Sequence, residues 1–395
     1  MAMKVLKILG GTILALVLVL VGVFFLMPAP EKPVPTGRYA VGISEFEVKD
    51  GATWVPVTAW YPASTNEGTA FPYMDTYLAE AFAQQQGLPA ALLEDTRPSH
   101  AVINAEAAEG KHPVLLFNHG FGSFATQNLT QMEELASQGY IVLSLSHPMH
   151  SMVSKNAEGV LVYQRAPLTQ EEIAQAVDIG DRTSKAMRAS QSFEQWVAAS
   201  SALEAGLFKS MPATIQEWAS NNEVVLNALV SLSTTHPDLP FANQLDAERI
   251  GALGHSFGGS VAAHLAFNNP QIKAAMSLDS FIYPSSVSDQ SAPICVLYGD
   301  TSTPPAQESM AWVNKTLLAS LASEGNCEVL FKGAAHMNFS DVNHLPGVSF
   351  VGLTGQIDPK FMHQASNRQI LGFFDHHFKG TPLPGSVDGV EVVLH

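Results

Sequence analysis

The sequence predicts an α/β fold: a mostly parallel sheet of about eight strands flanked by helices, with a helical insertion ahead of the fifth strand. Three observations predict it. Strand-like runs recur after residue 38, and from the third onward they are short, continuous and apolar, as in a sheet buried on both faces. Helix-like stretches such as Leu129–Gln138 and Gly259–Asn268 separate several of them, as parallel crossovers require. The 395 residues are 46% apolar and only 14% charged, against ~25% charged in ordinary soluble domains, so a sizeable core is available and too little charge is present to keep the chain unfolded.

The chain opens on an uncharged run, Ile8–Met27 (ILGGTILALVLVLVGVFFLM), which as a helix rising ~1.5 Å per residue covers the ~30 Å hydrocarbon core of a membrane. A signal peptide is the competing reading, but its apolar region spans ~7–15 residues and ends in a small-x-small site. Here Phe25, Leu26 and Met27 lead into Pro28, Ala29 and Pro30. Residues 1–30 are therefore read as an uncleaved anchor, with a cleaved signal segment and a secreted product as the alternative. Lys4 and Lys7 before the run place the N-terminus in the cytoplasm and the remainder outside, periplasmic or extracellular. Residues 31–38 end a stiff, proline-rich spacer, and residues 39–395 form one folded domain.

In order, the strand-like runs are YAVGISEFEV, TWVPVTAWYP, PVLLFNHG, YIVLSLSHP, RIGALGHS, IKAAMSLDS, APICVLYGD and CEVLFKGAAH. Between the fourth, ending near Ser146, and the fifth, starting near Arg249, the spacing breaks. Part of the gap is the crossover helix: Pro212 suits a first helical position, and Ile215, Trp218, Val225, Leu226 and Leu229 recur at helical spacing. The stretch from about 164 to 211, with Ser192 and Gln195 placed as a capping box before Trp196, reads as additional helices. It either forms a lid over a site or thickens one edge of the sheet. The tail after Gly380 reads as a peripheral strand or loop.

Acidic residues outnumber basic ones 36 to 20, which excludes a nucleic-acid partner, since counterion displacement from phosphate backbones needs clustered Lys and Arg. Removing residues 1–30 leaves 18 basic and 36 acidic residues, a formal charge of −18. That field opposes anionic lipid surfaces and favours a neutral or zwitterionic substrate. The two cysteines, Cys295 and Cys327, are too few for a zinc module or a disulfide framework. They fall on strands that should be neighbours and are expected as two buried thiols. Asn128, Asn314 and Asn338 open N-x-Ser/Thr sequons.

The string RIGALGHSFGGSVAAHLAF carries the chemistry. Gly254-His255-Ser256-Phe257-Gly258 matches G-x-S-x-G between an apolar strand and a small-residue helix, the context a nucleophile elbow needs. The glycines allow close backbone approach, Ser256 is the candidate nucleophile, and the Phe257 N–H at the helix N-terminus is a candidate oxyanion donor. His255 is read as packing. A second donor is the Phe121 N–H, in His119-Gly120-Phe121-Gly122 after the third run.

The base must be a histidine after the last strand, and His336 fits best. His344 is a distant second, His363, His376 and His377 read as surface residues of a late helix, and His395 is terminal. His147 and His150 are spaced like metal ligands but lack a third partner, so no metal is expected. Two aspartates end strands and obey the order Ser, Asp, His: Asp279 in SLDSFIYP and Asp300 in VLYGDTSTPP. The usual place for the acid in such a sheet, after the seventh strand, favours Asp300.

Four strings give the sequence a resemblance to the secreted platelet-activating factor acetylhydrolases and their bacterial relatives, which are α/β-hydrolases. They are AWYP at Ala59–Pro62; HPVLLFNHGFGS continuing to LASQGYIVLSLSHP; GHSFGGS around Ser256; and SLDSFIYP with the later KGAAHMNFSDV. The weaker GQIDPKFMHQASNRQILGFFDHHFKG extends the match over about Tyr39–Gly380. The resemblance implies a triad of Ser256, Asp279 and His336, and so moves the expected acid from Asp300 to Asp279. It also implies a serine ester hydrolase that needs no metal or organic cofactor and takes short acyl groups, such as the sn-2 ester of a phospholipid. Residues 164–211 depart from the family, which leaves the substrate open. A broad carboxylesterase or polyester hydrolase with Asp300 as acid is the alternative; a silent tethered interaction domain would lack a triad member, and none is missing.

Overall fold

A computed structural model describes residues 32–395 apart from 87–89, 91–96, 166–168, 290, 305, 322, 346–347 and 350–351. The expected anchor at Ile8–Met27 lies outside the described residues, and among those described no helix is long and apolar enough to cross a membrane.

Thirteen strands occur among the described residues: β1 (Ala40–Asp50), β2 (Thr53–Ala63), β3 (Ala70–Pro72), β4 (Pro98–Ile103), β5 (His112–Asn118), β6 (Ile141–Leu145), β7 (Val153–Lys155), β8 (Leu161–Tyr163), β9 (Leu245–His255), β10 (Ile272–Leu278), β11 (Ile294–Gly299), β12 (Cys327–Phe331) and β13 (Val390–Leu394). Eleven of them form one sheet, ordered β13-β12-β11-β10-β9-β5-β6-β2-β1-β4-β3, and β7 pairs with β8 in a separate hairpin. All eight expected runs are strands of this sheet. The three additions, β3, β4 and β13, lie at or near its edges. The block β12-β11-β10-β9-β5-β6 is wholly parallel, and β2 and β13 pair antiparallel at its two sides.

Two apolar layers cover the sheet. On one face Leu129, Met132 and Leu135 of the helix Leu129–Ser137 pack with Ile370, Phe373 and Phe374 of the helix Pro359–Lys379. On the other lie Ile215, Trp218 and Leu226 of the crossover helix Met211–Leu229, and Val261 and Leu265 of the helix Phe257–Asn268. Gly251 in β9 shows why the middle of the sheet is tight: a methyl group there would lie 2.6 Å from the Phe374 ring. Chain order reverses between β5 and β9, since β5 leads outward to β6 and β9 outward to β10. Ligands of open α/β sheets bind beside such a switch, at the carboxyl ends of the strands.

The insertion consists of helices Gln170–Ala189 and Phe193–Ser200 and two 3-10 turns, Ser201–Glu204 and Gly206–Phe208. Thr169 and Glu172 form a full capping box at its entrance. Ser192 does cap the second helix, but the Gln195 side chain accepts from Gln191 N rather than Ser192 N, so the expected box is only half made. Pro212 occupies the second helical position, one later than expected, behind Ser210 as N-cap.

Cys295 and Cys327 are not two thiols: they form a disulfide. They are directly paired residues of the parallel neighbours β11 and β12, with Cα atoms 4.4 Å apart, within the range a disulfide can bridge. The bond closes a loop of 32 residues, which in the loop-entropy model stabilises the fold by about 3–4 kcal/mol. Exchange of both cysteines for alanine should lower the unfolding free energy by that order in a urea titration; a change below about 1 kcal/mol would show that strain or residual unfolded structure cancels the entropic gain.

Candidate active site

The two motif glycines are required by contact. A methyl group on Gly254 would sit 2.1 Å from the Gly258 carbonyl oxygen, and one on Gly258 would sit 2.0 Å from that of Asn118. Strand β9, the helix that follows it and the end of β5 are thus pressed together around one turn. The residue in that turn is Ser256, held at φ 55° and ψ −127°, a backbone region an L-residue occupies only under constraint. Its N–H donates to Leu278 O at 2.9 Å, which ties the turn to the end of β10.

Neighbouring strand ends supply the partners. The hydroxyl of Ser256 donates to His336 Nε2 at 3.0 Å, and His336 Nδ1–H donates to Asp279 Oδ2 at 2.8 Å. Asp279 follows β10, itself at positive φ (51°), and its other oxygen accepts from Gly299 N at 3.0 Å. Its side chain is buried, whereas His336 is part-exposed toward the cleft. Asp300 stands apart. It is exposed, and its Oδ1 accepts from Gly333 N and from Thr301 Oγ1, with no hydrogen bond to His336.

His336 opens a short 3-10 turn after β12. Two residues of the string Asn338-Phe339-Ser340-Asp341 hold that turn. The Asn338 side-chain oxygen accepts from Ala335 N and Gly355 N, and buried Asp341 accepts from Thr130 N, Thr130 Oγ1 and Tyr73 Oη. The sequons are closed: Asn128, Asn314 and Asn338 are all buried.

The loop after β5 packs directly on the serine, since a methyl group on Gly120 would lie 3.4 Å from Ser256 Cβ. Among the described residues neither Phe121 N–H nor Phe257 N–H has a protein acceptor. Their rings meet edge to face at 5.6 Å. Behind the loop lies a buried polar layer. His119 bonds Gly120 O and Ser151 Oγ, both at 2.7 Å, while His147 bonds Asn118 Oδ1 and Asn221 and stacks on Trp218 at 3.7 Å. Burial pushes His119 down to about 4 and His147 well below the usual histidine range, so both are neutral hydrogen-bonding groups. Both nitrogens of His147 are engaged, and His150 Nε2 faces Glu217 instead, so His147 and His150 do not converge on one point. Among the described residues no cluster of three or more His, Cys, Asp or Glu could hold one.

Among the late-helix histidines expected at the surface, His363 and His377 are half-buried. His363 packs edge to face on His344, and His377 packs on Phe373. Burial pushes His344, His363 and His377 down to about 4. One face of the last helix packs on the sheet, which half-buries His363 and His377, while Lys360, Gln364 and Arg368 stay exposed on the other.

Ser256, Asp279 and His336 open on a cavity of about 690 Å³. Its walls include Phe121 and Tyr283, and Val177, Leu207, Phe208 and Met211 from the insertion and the start of the crossover helix. Met187, Trp196 and Leu203 of the insertion pack into the core over the sheet, while its other face walls the cleft. It is clamped to the segment after β11, where Glu308 pairs with Lys185 and Arg188, and Asp181 accepts from Gln307 N and Glu308 N.

The sequence profile of the family described as "Platelet-activating factor acetylhydrolase, isoform II" matches residues 31–381. The platelet-activating factor acetylhydrolase of Gallus gallus is 23% identical over 377 residues, covering 87% of this chain and 83% of that one. Cutinase est1 of Thermobifida alba is 32% identical over 78 residues, 20% of this chain. Among solved structures, a ferulic acid esterase from Streptomyces cinnamoneus superposes with a TM-score of 0.66 at 20% identity, over 93% of this chain and 99% of that one. The class is that of carboxylic-ester hydrolases built on the α/β-hydrolase fold. The chain belongs to the platelet-activating factor acetylhydrolase, isoform II, family.

Proposed function

We propose that the protein hydrolyses short-chain acyl esters, the sn-2 ester of zwitterionic phospholipids among them, through Ser256, His336 and Asp279. The observation that carries this is the continuous hydrogen-bonded chain from Ser256 through His336 to Asp279 at the floor of an apolar-walled cleft. His336 takes the serine proton, the alkoxide adds to the ester carbonyl, and the negative oxygen is held by the Phe121 and Phe257 N–H groups, a donor of this kind being typically worth ~3–4 kcal/mol. Collapse expels the alcohol, which takes the proton from His336. Water activated by the same histidine then releases the acid. No step requires a metal or organic cofactor.

The relatives' name supports an acetyl-sized acyl group, and the formal −18 outside residues 1–30 supports a neutral or zwitterionic head group. The Cys295–Cys327 bond supports a domain outside the reducing cytoplasm, with Ile8–Met27 as its tether. A p-nitrophenyl ester series tests the substrate reading: kcat/KM should peak at acetyl to butyryl and fall by about tenfold or more by decanoyl, and phosphatidylcholine vesicles with a short sn-2 chain should compete. A flat profile without competition supports the second reading, a broad or polyester-cleaving esterase, which the local cutinase match favours. In the same preparations the full-length chain should remain in membranes washed with alkaline carbonate; release into the wash removes the tether.

A further inference from the structure

We infer that Gln127 and His255 are positioning residues that lock the loop carrying the Phe121 N–H to the loop carrying His336. The inference rests on the serine-hydrolase reading above, and it assigns work to a histidine whose place in the motif reads as packing. One chain of hydrogen bonds runs from loop to loop. Gly120 N donates to Gln127 Oε1 at 2.9 Å, Gln127 Nε2 donates to His255 Nδ1 at 2.8 Å, and His255 Nε2–H donates to the His336 carbonyl at 3.0 Å. A backbone donor at one end and a backbone acceptor at the other fix the sense of every bond between them. The amide oxygen of Gln127 has to face Gly120, so its NH2 faces His255. That leaves Nδ1 of His255 without a proton, and Nε2 must carry it.

Two further bonds brace the same pair of loops: Asp341 N donates to Gln127 O at 3.1 Å, and Asn128 Nδ2 donates to Phe339 O at 2.6 Å. Both Gln127 and His255 are buried. Burial holds His255 far below the usual histidine range, so it remains neutral although its ring centre is 4.7 Å from that of His336. A charged neighbour there would oppose the positive charge His336 acquires on taking the serine proton. Neither residue lines the cleft. Their influence on substrate is therefore indirect: they set the spacing between oxyanion donor and base, which matters in the transition state and little in ground-state binding.

The test compares His255→Phe and His255→Gln with wild type on p-nitrophenyl acetate, with fluorophosphonate labelling of Ser256 as a second readout. His255→Phe removes both bonds and should lower kcat by about 10- to 100-fold, the cost of a displacement near 1 Å, with KM within twofold and slower labelling. His255→Gln offers one acceptor and one donor and should recover kcat to within about threefold of wild type. A folded His255→Phe with wild-type kcat, a loss carried by KM, or no recovery in His255→Gln overturns the inference. Should His255→Phe not fold, Gln127→Glu decides: it keeps an acceptor for Gly120 N and removes the amide protons that reach His255 Nδ1 and Asn128 Oδ1, so unchanged kcat there overturns it. Wild-type protein that resists labelling, with Ser256→Ala still active, would instead overturn the underlying hydrolase reading.

Discussion

Ser256→Ala should lose hydrolysis of p-nitrophenyl acetate by at least ~10⁴-fold and take up no fluorophosphonate, because without the Oγ no acyl-enzyme can form and only the oxyanion donors and binding remain. The residue also carries a stability signature. Its φ of 55° and ψ of −127° persist because the surrounding backbone allows nothing else: Gly254 and Gly258 touch, and Ser256 N is bonded to Leu278 O. Such strain costs ~1–3 kcal/mol in a non-glycine residue. Glycine relieves it and pays ~0.5–1 kcal/mol of extra unfolded-state entropy. Ser256→Gly should therefore be as inactive as Ser256→Ala yet more stable by about 1 kcal/mol, read as a higher urea midpoint. Comparing the two inactive variants cancels the lost bond to His336. An alanine variant as stable as the glycine variant would remove the strain argument, and an active one would remove the nucleophile.

Asp279→Asn is expected to cost kcat ~10³–10⁴-fold, and Asp300→Asn less than about threefold. The first figure follows from which atoms face which partner. Asp279 accepts from Gly299 N with one oxygen and from His336 with the other. An asparagine would keep its oxygen on Gly299 N, leaving NH2 toward His336 Nδ1. The imidazole proton then moves to Nε2, the atom that should accept from Ser256, and the base is lost while the shape is kept. Asp300 bonds only Thr301 and Gly333 through one oxygen, which an asparagine oxygen replaces. Steady-state kinetics on both variants, with circular dichroism to check folding, decides between the two; a larger loss in Asp300→Asn reverses the assignment.

What was legible in the sequence follows the range of the signals. Six strands of the sheet, β5, β6 and β9 to β12, announce themselves as continuous apolar runs because both their faces are covered. The short pieces did not. β3 has three residues, β4 begins at a proline, and β7–β8 is a two-stranded hairpin of three residues each, too short for periodicity to register. In the site, G-x-S-x-G, H-G-F-G and the histidine after β12 were readable because each is a local string at a strand end.

Side-chain direction was not readable. His255 looks idle beside Ser256, and only its facing of Gln127 and the His336 carbonyl gives it a place in the hydrogen-bonding scheme. Gln127 carries no motif at all. His363 and His377 read as surface because their helix is polar along part of its length, and the packing of that helix on the sheet half-buries them.

By itself, then, the sequence determined the parallel core, the elbow, the order of candidate functional groups along the chain and the insertion ahead of β9, all properties written in consecutive residues. Tertiary structure alone decided that Cys295 lies directly opposite Cys327 and that the insertion walls the cleft as well as covering the sheet, and it set against His336 the aspartate to which the resemblance, and not the strand order, had pointed. Each of these depends on register and facing between segments tens of residues apart, and a one-residue shift in strand register would turn every such side chain to the other face.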